Sequence, residues 1–153
     1  MDNDRKRLLI VGGVAGGASC AARARRLSED WKITIFERGP FVSFANCGLP
    51  YHIGGVIEAV NDLLVASPEL FRDRFEIEVR TGSNVKKILR DAKEIEVEDI
   101  GSGDVYREGY DALLLSPGSE PLRPGIEGID LPGIFTVGTI PDTRAIMHWT
   151  AHR

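Results

Sequence analysis

With 153 residues, 42% of them hydrophobic and 27% charged, the chain has room for one domain with a sizeable core. Its net charge of −4 argues against a nucleic-acid binder, and no stretch approaches the roughly 20 apolar residues of a membrane-spanning helix. Two cysteines, Cys20 and Cys47, make no disulfide framework; no signal peptide precedes Leu8, and a reducing cytoplasm is the expected compartment.

Leu8-Leu9-Ile10-Val11 is a continuous apolar run, the pattern of a buried parallel strand. It leads straight into Gly12-Gly13-Val14-Ala15-Gly16-Gly17. Residues 18–27 are rich in Ala and Arg and favour a helix, with Ala18, Ala21, Ala22 and Arg25 sharing one face. Ile33-Thr34-Ile35-Phe36 reads as a second strand, and Glu37 closes it. Strand, glycine turn, helix, strand and acid make up the βαβ dinucleotide fingerprint. Glycines let the backbone approach a pyrophosphate, and the helix N-terminus offers unpaired N–H groups to its charge. Glu37 follows Gly17 by 20 residues, the spacing at which a carboxylate accepts ribose hydroxyls. Val14 stands where the fingerprint has its middle glycine, while Gly12 and Gly17 keep the outer two. An acid at residue 37 disfavours a 2′-phosphate; Arg38 beside it either neutralises it or lies along the adenine.

Next comes Phe41 to Gly55, which contains Asn46-Cys47-Gly48-Leu49-Pro50. Proline is tolerated only in the first turn of a helix, so residues 46–54 are expected to form a short helix with Cys47 in its opening turn. A thiol there feels the positive end of the dipole, which favours the thiolate that attacks disulfides. The competing reading of a lone cysteine is a small buried hydrophobe. His52 is expected to be a packing histidine before a proton relay.

Ser67-Pro68-Glu69 signals a helix start, running to Arg74. Ile77–Arg80, Asn84–Leu89, Glu94–Ile100 and Asp104–Arg107 alternate as strands, with Gly101-Ser102-Gly103 a turn; they suggest a small antiparallel meander on the parallel sheet. Ala112–Leu115 is another buried strand, broken by Ser116-Pro117-Gly118. Pro121 to Pro132 must be a loop, Ile134–Val137 is expected to be a short strand, and Pro141-Asp142-Thr143 opens a last helix. The fold class is α/β: a Rossmann-like βαβ sheet with a small antiparallel meander.

Taken together, Val11 to Gly17, Phe36-Glu37, Ser43 to Tyr51, Ser116-Pro117-Gly118 and Ile140 to Thr143 closely resemble the flavin-dependent pyridine nucleotide-disulfide oxidoreductases. Within them the chain is similar to the coenzyme A disulfide reductase, NADH oxidase and persulfide reductase branch. The likeness covers the whole chain, and Ser43 to Tyr51 is its specific part. It implies that the dinucleotide at Gly12, Val14, Ala15, Gly16, Gly17, Glu37 and Arg38 is FAD. Ser116, Pro117 and Gly118 are then expected to pass the flavin nucleotide, and backbone near Val85 to meet the adenine.

The same likeness makes Cys47 the redox cysteine, beside the flavin ring. Relatives with two redox cysteines space them five positions apart; here those positions hold Val42 and His52, so oxidised Cys47 has no neighbouring cysteine to resolve it. Implied substrates are NAD(P)H and coenzyme A disulfide or a persulfide. Ser43 and Asn46 would hold the small-molecule end, Arg23 and Arg26 the coenzyme A phosphates, and Phe71 the channel wall. Arg23 and Arg26 are as readily a solvated helix face, and Phe71 a core residue. The alternatives are oxygen as the electron acceptor, or a stand-alone nucleotide-binding redox sensor. No metal is implied. Residues 1–153 would form the N-terminal part of the FAD-binding domain of a longer homodimeric enzyme, whose NAD(P)H-binding and dimerisation domains lie outside this sequence.

Overall fold

The computed structural model describes residues 5–152. The chain forms two compact units, one from residues 5–44 and 66–118, the other from 45–65 and 119–152.

The first unit is built on a four-stranded parallel sheet. Its strands are β1 (Lys6–Val11), β2 (Trp31–Glu37), β3 (Ile77–Thr81) and β7 (Ala112–Leu115), in the order β3-β2-β1-β7. β1 pairs with β2 in the register Ile10↔Ile35 and with β7 in the register Ile10↔Leu114. Helix α1 (Gly16–Leu27) connects β1 to β2, and α3 (Pro68–Phe75) precedes β3. Strand side chains alternate between faces. On one face Ile10, Ile33, Ile35 and Ile77 pack with Ala18, Ala21, Val42 and Phe71 in a single core cluster. On the other, Leu9 and Phe36 meet Ile95 and Val97. Each of the buried Ile, Leu, Val and Phe side chains contributes about 1.5–3 kcal/mol.

Ile95 and Val97 belong to the second sheet, the antiparallel meander β4 (Ser83–Leu89), β5 (Glu94–Asp99) and β6 (Val105–Gly109), in the order β4-β5-β6. A register shift between Val85 and Lys87 kinks β4. The meander therefore covers one face of the parallel sheet while helices cover the other. That is why β1, β2 and β7 carry apolar runs, whereas the meander, with one face in solvent, alternates; Ile77–Arg80, expected in the meander, alternates too but forms β3, the edge strand of the parallel sheet.

In the second unit two expectations are corrected. Residues 46–54 are not one helix. Asn46–Gly48 form a 3-10 turn, and α2 spans only Leu49–Ile53, with Pro50 in its first turn. Gly48 is buried, and a Cβ there would lie 2.6 Å from Leu63 Cδ2, so this turn is packed too closely for a side chain at residue 48. Ile134–Val137 is not a strand: neither sheet includes it, and Ile134, Phe135 and Val137 are well exposed. Strand propensity needs a partner strand to express itself. Phe135 packs edge-on against Trp149 instead, with ring centroids 5.9 Å apart.

Helix α4 (Ile140–Ala151) has a complete capping box. The Asp142 N–H donates to Thr139 Oγ1 at 3.4 Å, and Asp142 Oδ2 accepts from the Thr139 N–H at 2.8 Å. Thr139→Ala is expected to destabilise this helix by about 1 kcal/mol, read as an earlier loss of helical circular dichroism on heating. An unchanged melting curve would show the cap to be idle.

Candidate functional site

In the first unit the strand order reverses at β1, because the chain moves outward through β2 to β3 and later returns to β1's other side as β7. In open α/β sheets such a switch point, at the carboxyl ends of the strands, is where ligands bind. The predicted glycine turn and the Ser116 segment meet there. Gly12 leaves β1 with φ +89°, a left-handed value that favours glycine. Its N–H donates to the Phe36 carbonyl at 2.8 Å, and the Ser116 N–H donates to the Val11 carbonyl at 2.8 Å.

The packing explains three of the glycines. A Cβ on Gly12 would collide with the Ser116 carbonyl, and one on Gly17 with the Gly12 carbonyl. A Cβ on Gly16 would sit 2.5 Å from Ser116 Oγ. Gly12 thus packs against the Ser116 backbone, Gly17 against the Gly12 backbone and Gly16 against the Ser116 side chain. Pro117 and Gly118 follow, both exposed. Val14 is half-buried, so a side chain fits where the fingerprint has its middle glycine.

Helix α1 starts here with no side-chain cap and no acidic residue in its first turn. By contrast Ser67 caps α3 and Thr139 caps α4. Ala15 and Gly16 are exposed, so the first N–H groups of α1 are open to an anion. Glu37 stands at the end of β2. Its Oε2 accepts from the Gly13 N–H at 2.8 Å and its Oε1 from the Gly39 N–H at 2.7 Å. The sequence spacing marked Glu37 for ribose hydroxyls and did not reveal that it also fixes the glycine turn. Each carboxylate oxygen keeps a second lone pair, so the two uses are compatible.

Other predicted residues fall elsewhere. Phe71 is 3% exposed and sits in the core cluster, in keeping with the core reading weighed against a place in a substrate channel. Arg23, Arg26 and Arg38 are exposed, and the Arg26 guanidinium lies 6.0 Å from the Phe75 ring centroid. Val85 packs against the Leu9–Phe36 cluster, on the β4 strand. Ser43 is buried at φ +48°, and its N–H donates to the Gly13 carbonyl at 2.9 Å. It braces the glycine turn as Glu37 does. Arg25 carries a role that sequence spacing could not show. It donates to the carbonyls of Phe75, Glu29, Trp31 and Glu76 at 2.7–3.0 Å, tying α1 to the end of α3 and the start of β2.

In the second unit Asn46 and Cys47 are exposed, as is Tyr51. Cys47 is a free thiol, and so is the half-buried Cys20. His52 is 3% exposed, with Nδ1 2.7 Å from the Ile57 carbonyl oxygen, the environment of a packing histidine.

The doubly covered parallel sheet and the glycine turn at its switch point define a Rossmann-like α/β fold. The chain belongs to the pyridine nucleotide-disulphide oxidoreductase family, which it matches over residues 6–151. It is 39% identical over 141 residues to a coenzyme A disulfide reductase of Staphylococcus haemolyticus, covering 92% of this chain and 31% of that one. Among solved structures, reduced Bacillus anthracis CoADR-RHD superposes with a TM-score of 0.93 at 46% identity, covering 96% of this chain and 27% of that chain. An NAD-dependent persulfide reductase from A. fulgidus superposes at 0.90 with 31% identity, covering 95% and 27%. The chain thus spans about a third of the length of the curated relatives it matches.

Proposed function

We propose that this chain is the flavin-binding, cysteine-bearing part of an FAD-dependent, NAD(P)H-driven reductase of coenzyme A disulfide or a persulfide. The names of its relatives support the reaction class. The observation that carries the reading is Cys47, an exposed free thiol in a chain whose other cysteine lies 27 residues away on α1. The residues at the switch point suit a dinucleotide. Gly12, Gly16 and Gly17 admit close backbone approach, the open N-terminus of α1 accepts pyrophosphate charge, and Glu37 has lone pairs left for ribose. An acidic residue at that strand end favours FAD or NAD over a 2′-phosphorylated nucleotide.

Bound FAD would supply two-electron transfer between a nicotinamide nucleotide and sulfur. The Cys47 thiolate attacks one sulfur of a small disulfide. A bond forms from Sγ to that sulfur, the substrate S–S bond breaks, and the second thiolate leaves. The mixed disulfide persists until reduced, because no second cysteine stands five residues to either side to resolve it. Arg23 and Arg26 offer exposed positive charge for the phosphates of coenzyme A, and Asn46 is exposed beside the thiol. On this reading the NAD(P)H-binding and dimerisation domains belong to the remainder of a longer, homodimeric, cytoplasmic chain.

Two measurements test it. Coenzyme A disulfide is expected to add one coenzyme A moiety to the wild-type chain, by mass spectrometry, and none to Cys47→Ser. A titration with FAD is expected to give a bound-flavin absorption spectrum in both the wild type and Cys47→Ser. Equal adduct formation in both proteins overturns the cysteine assignment. Preference for NAD over FAD overturns the cofactor assignment.

A further inference from the structure

The C-terminal end of α4 carries two histidines that the flavin reading does not use. His148 lies in the last turn and His152, four residues on, is the C-cap residue just past the helix. Both are exposed, their ring centroids are 4.2 Å apart and the ring planes meet at 44°. His152 Nδ1 lies 2.7 Å from the His148 carbonyl oxygen. A carbonyl oxygen can only accept, so Nδ1 carries the proton, and in the neutral ring Nε2 is left with its lone pair. Metal-bound histidines characteristically have this arrangement: one ring nitrogen anchored on a backbone carbonyl, which fixes the tautomer, and the other available to the ion.

We propose that His148 and His152 form a two-imidazole chelate for a borderline divalent transition-metal ion such as Zn²⁺. Spacing of i, i+4 is the one by which helical histidine pairs grip a single zinc ion. The donor set decides the metal class. Two neutral nitrogens suit Zn²⁺, Ni²⁺ and Cu²⁺, whereas Mg²⁺ and Ca²⁺ demand oxygen. Among the described residues no group of three or more His, Cys, Asp or Glu could hold a metal ion, so water completes the coordination shell. The site is therefore open and exchangeable rather than a closed structural zinc centre. An ion held there links the last turn of α4 to the residue that ends it.

The test is a Zn²⁺ titration of the full chain, followed through the side-chain ¹⁵N signals of its histidines. The sequence holds three histidines, and buried His52 with its own carbonyl partner is the internal reference. Because the readout resolves each histidine, zinc taken up by the Cys47 thiol is not counted. The His148 and His152 signals are expected to move together with one midpoint while His52 stays still. His148→Gln and His152→Gln are each expected to weaken binding at the remaining histidine about tenfold or more, and excess Mg²⁺ to move neither signal. Both positions are exposed, so neither variant threatens the fold. An unchanged His152 midpoint in His148→Gln would show independent monodentate binding and overturn the proposal. So would silence of both signals up to about 1 mM zinc.

Discussion

A Gly12→Ala chain is expected to lose about 3 kcal/mol of stability or more, together with the FAD binding proposed above. Two costs act at this position. Residue 12 has φ +89°, and holding a non-glycine residue in sparsely populated backbone space costs about 1–3 kcal/mol. The new Cβ would also collide with the Ser116 carbonyl, which is backbone and cannot swing aside as a side-chain tip can. Overpacking of this kind costs about 1–3 kcal/mol more. Relief would require β7's exit to move away from the end of β1, and that separates the two segments which build the switch point. Gly118→Ala is the control. It also has positive φ, +78°, but a Cβ there meets nothing within 4 Å, so only the backbone cost, about 1 kcal/mol, is expected. Urea denaturation gives both stabilities, and flavin fluorescence quenching gives FAD affinity. If Gly12→Ala matches Gly118→Ala in both, the glycine turn is not held against Ser116 in the way described.

Much of this arrangement was legible in the sequence because its signals are local. Leu8–Val11 and Ile33–Phe36 are unbroken apolar runs, and Gly12 to Gly17 follow the first of them directly. Ser67-Pro68 and Pro141-Asp142 announce α3 and α4 through the chemistry of caps and the missing N–H of proline. What stayed hidden depends on partners distant in the chain. Ile134–Val137 has strand residues and no strand to pair with. Around Cys47, Gly48 packs against Leu63, fifteen residues on, a contact that no local pattern announces. Arg25 looked like one more member of an Ala-rich face, yet it binds carbonyls up to 51 residues away. His148 and His152 stood at a legible i, i+4 spacing, but the close approach of their rings and the carbonyl anchor are properties of the folded chain.

Arg80 is the other distant partnership, and its removal is expected to loosen the two sheets of the first unit from each other. It leaves β3 and donates to Glu78 Oε1 at 2.7 Å on its own strand. From the antiparallel sheet it is met by Glu108 Oε2 at 3.1 Å and Tyr106 Oη at 3.4 Å, both on β6. Its guanidinium lies 5.2 Å from the ring centroid of Phe36, a buried β2 residue, where a cation–π contact forms. Burial works against the Arg80 charge, but the hydrogen bonds it donates to Glu78, Tyr106 and Glu108 outweigh it and hold the pKa above its ordinary value. Burial likewise opposes the Glu78 charge, and the hydrogen bond and charge of Arg80 overcome it, so its carboxyl titrates below its ordinary 4.5. Arg80→Met keeps an apolar stem and deletes the charge. The pairs are partly solvated, so the expected loss is about 1–2 kcal/mol rather than the cost of breaking a fully buried pair. The pH dependence identifies the cause. A carboxyl depressed in the folded state contributes stability that is fully present above its unfolded pKa and is lost as the pH falls through the folded value. The wild type is therefore expected to lose the Glu78 contribution below about pH 4.5, and Arg80→Met to lack that part of the acid dependence. Glu98 and Asp99 are also depressed, by Lys86 and by backbone N–H groups respectively, so both proteins share their share of the acid loss. The difference between the two stability curves is then the measurement: it should be largest near neutral pH and shrink on acidification. A constant difference across that range would mean that Arg80 acts through packing on Phe36 and not through its carboxylates.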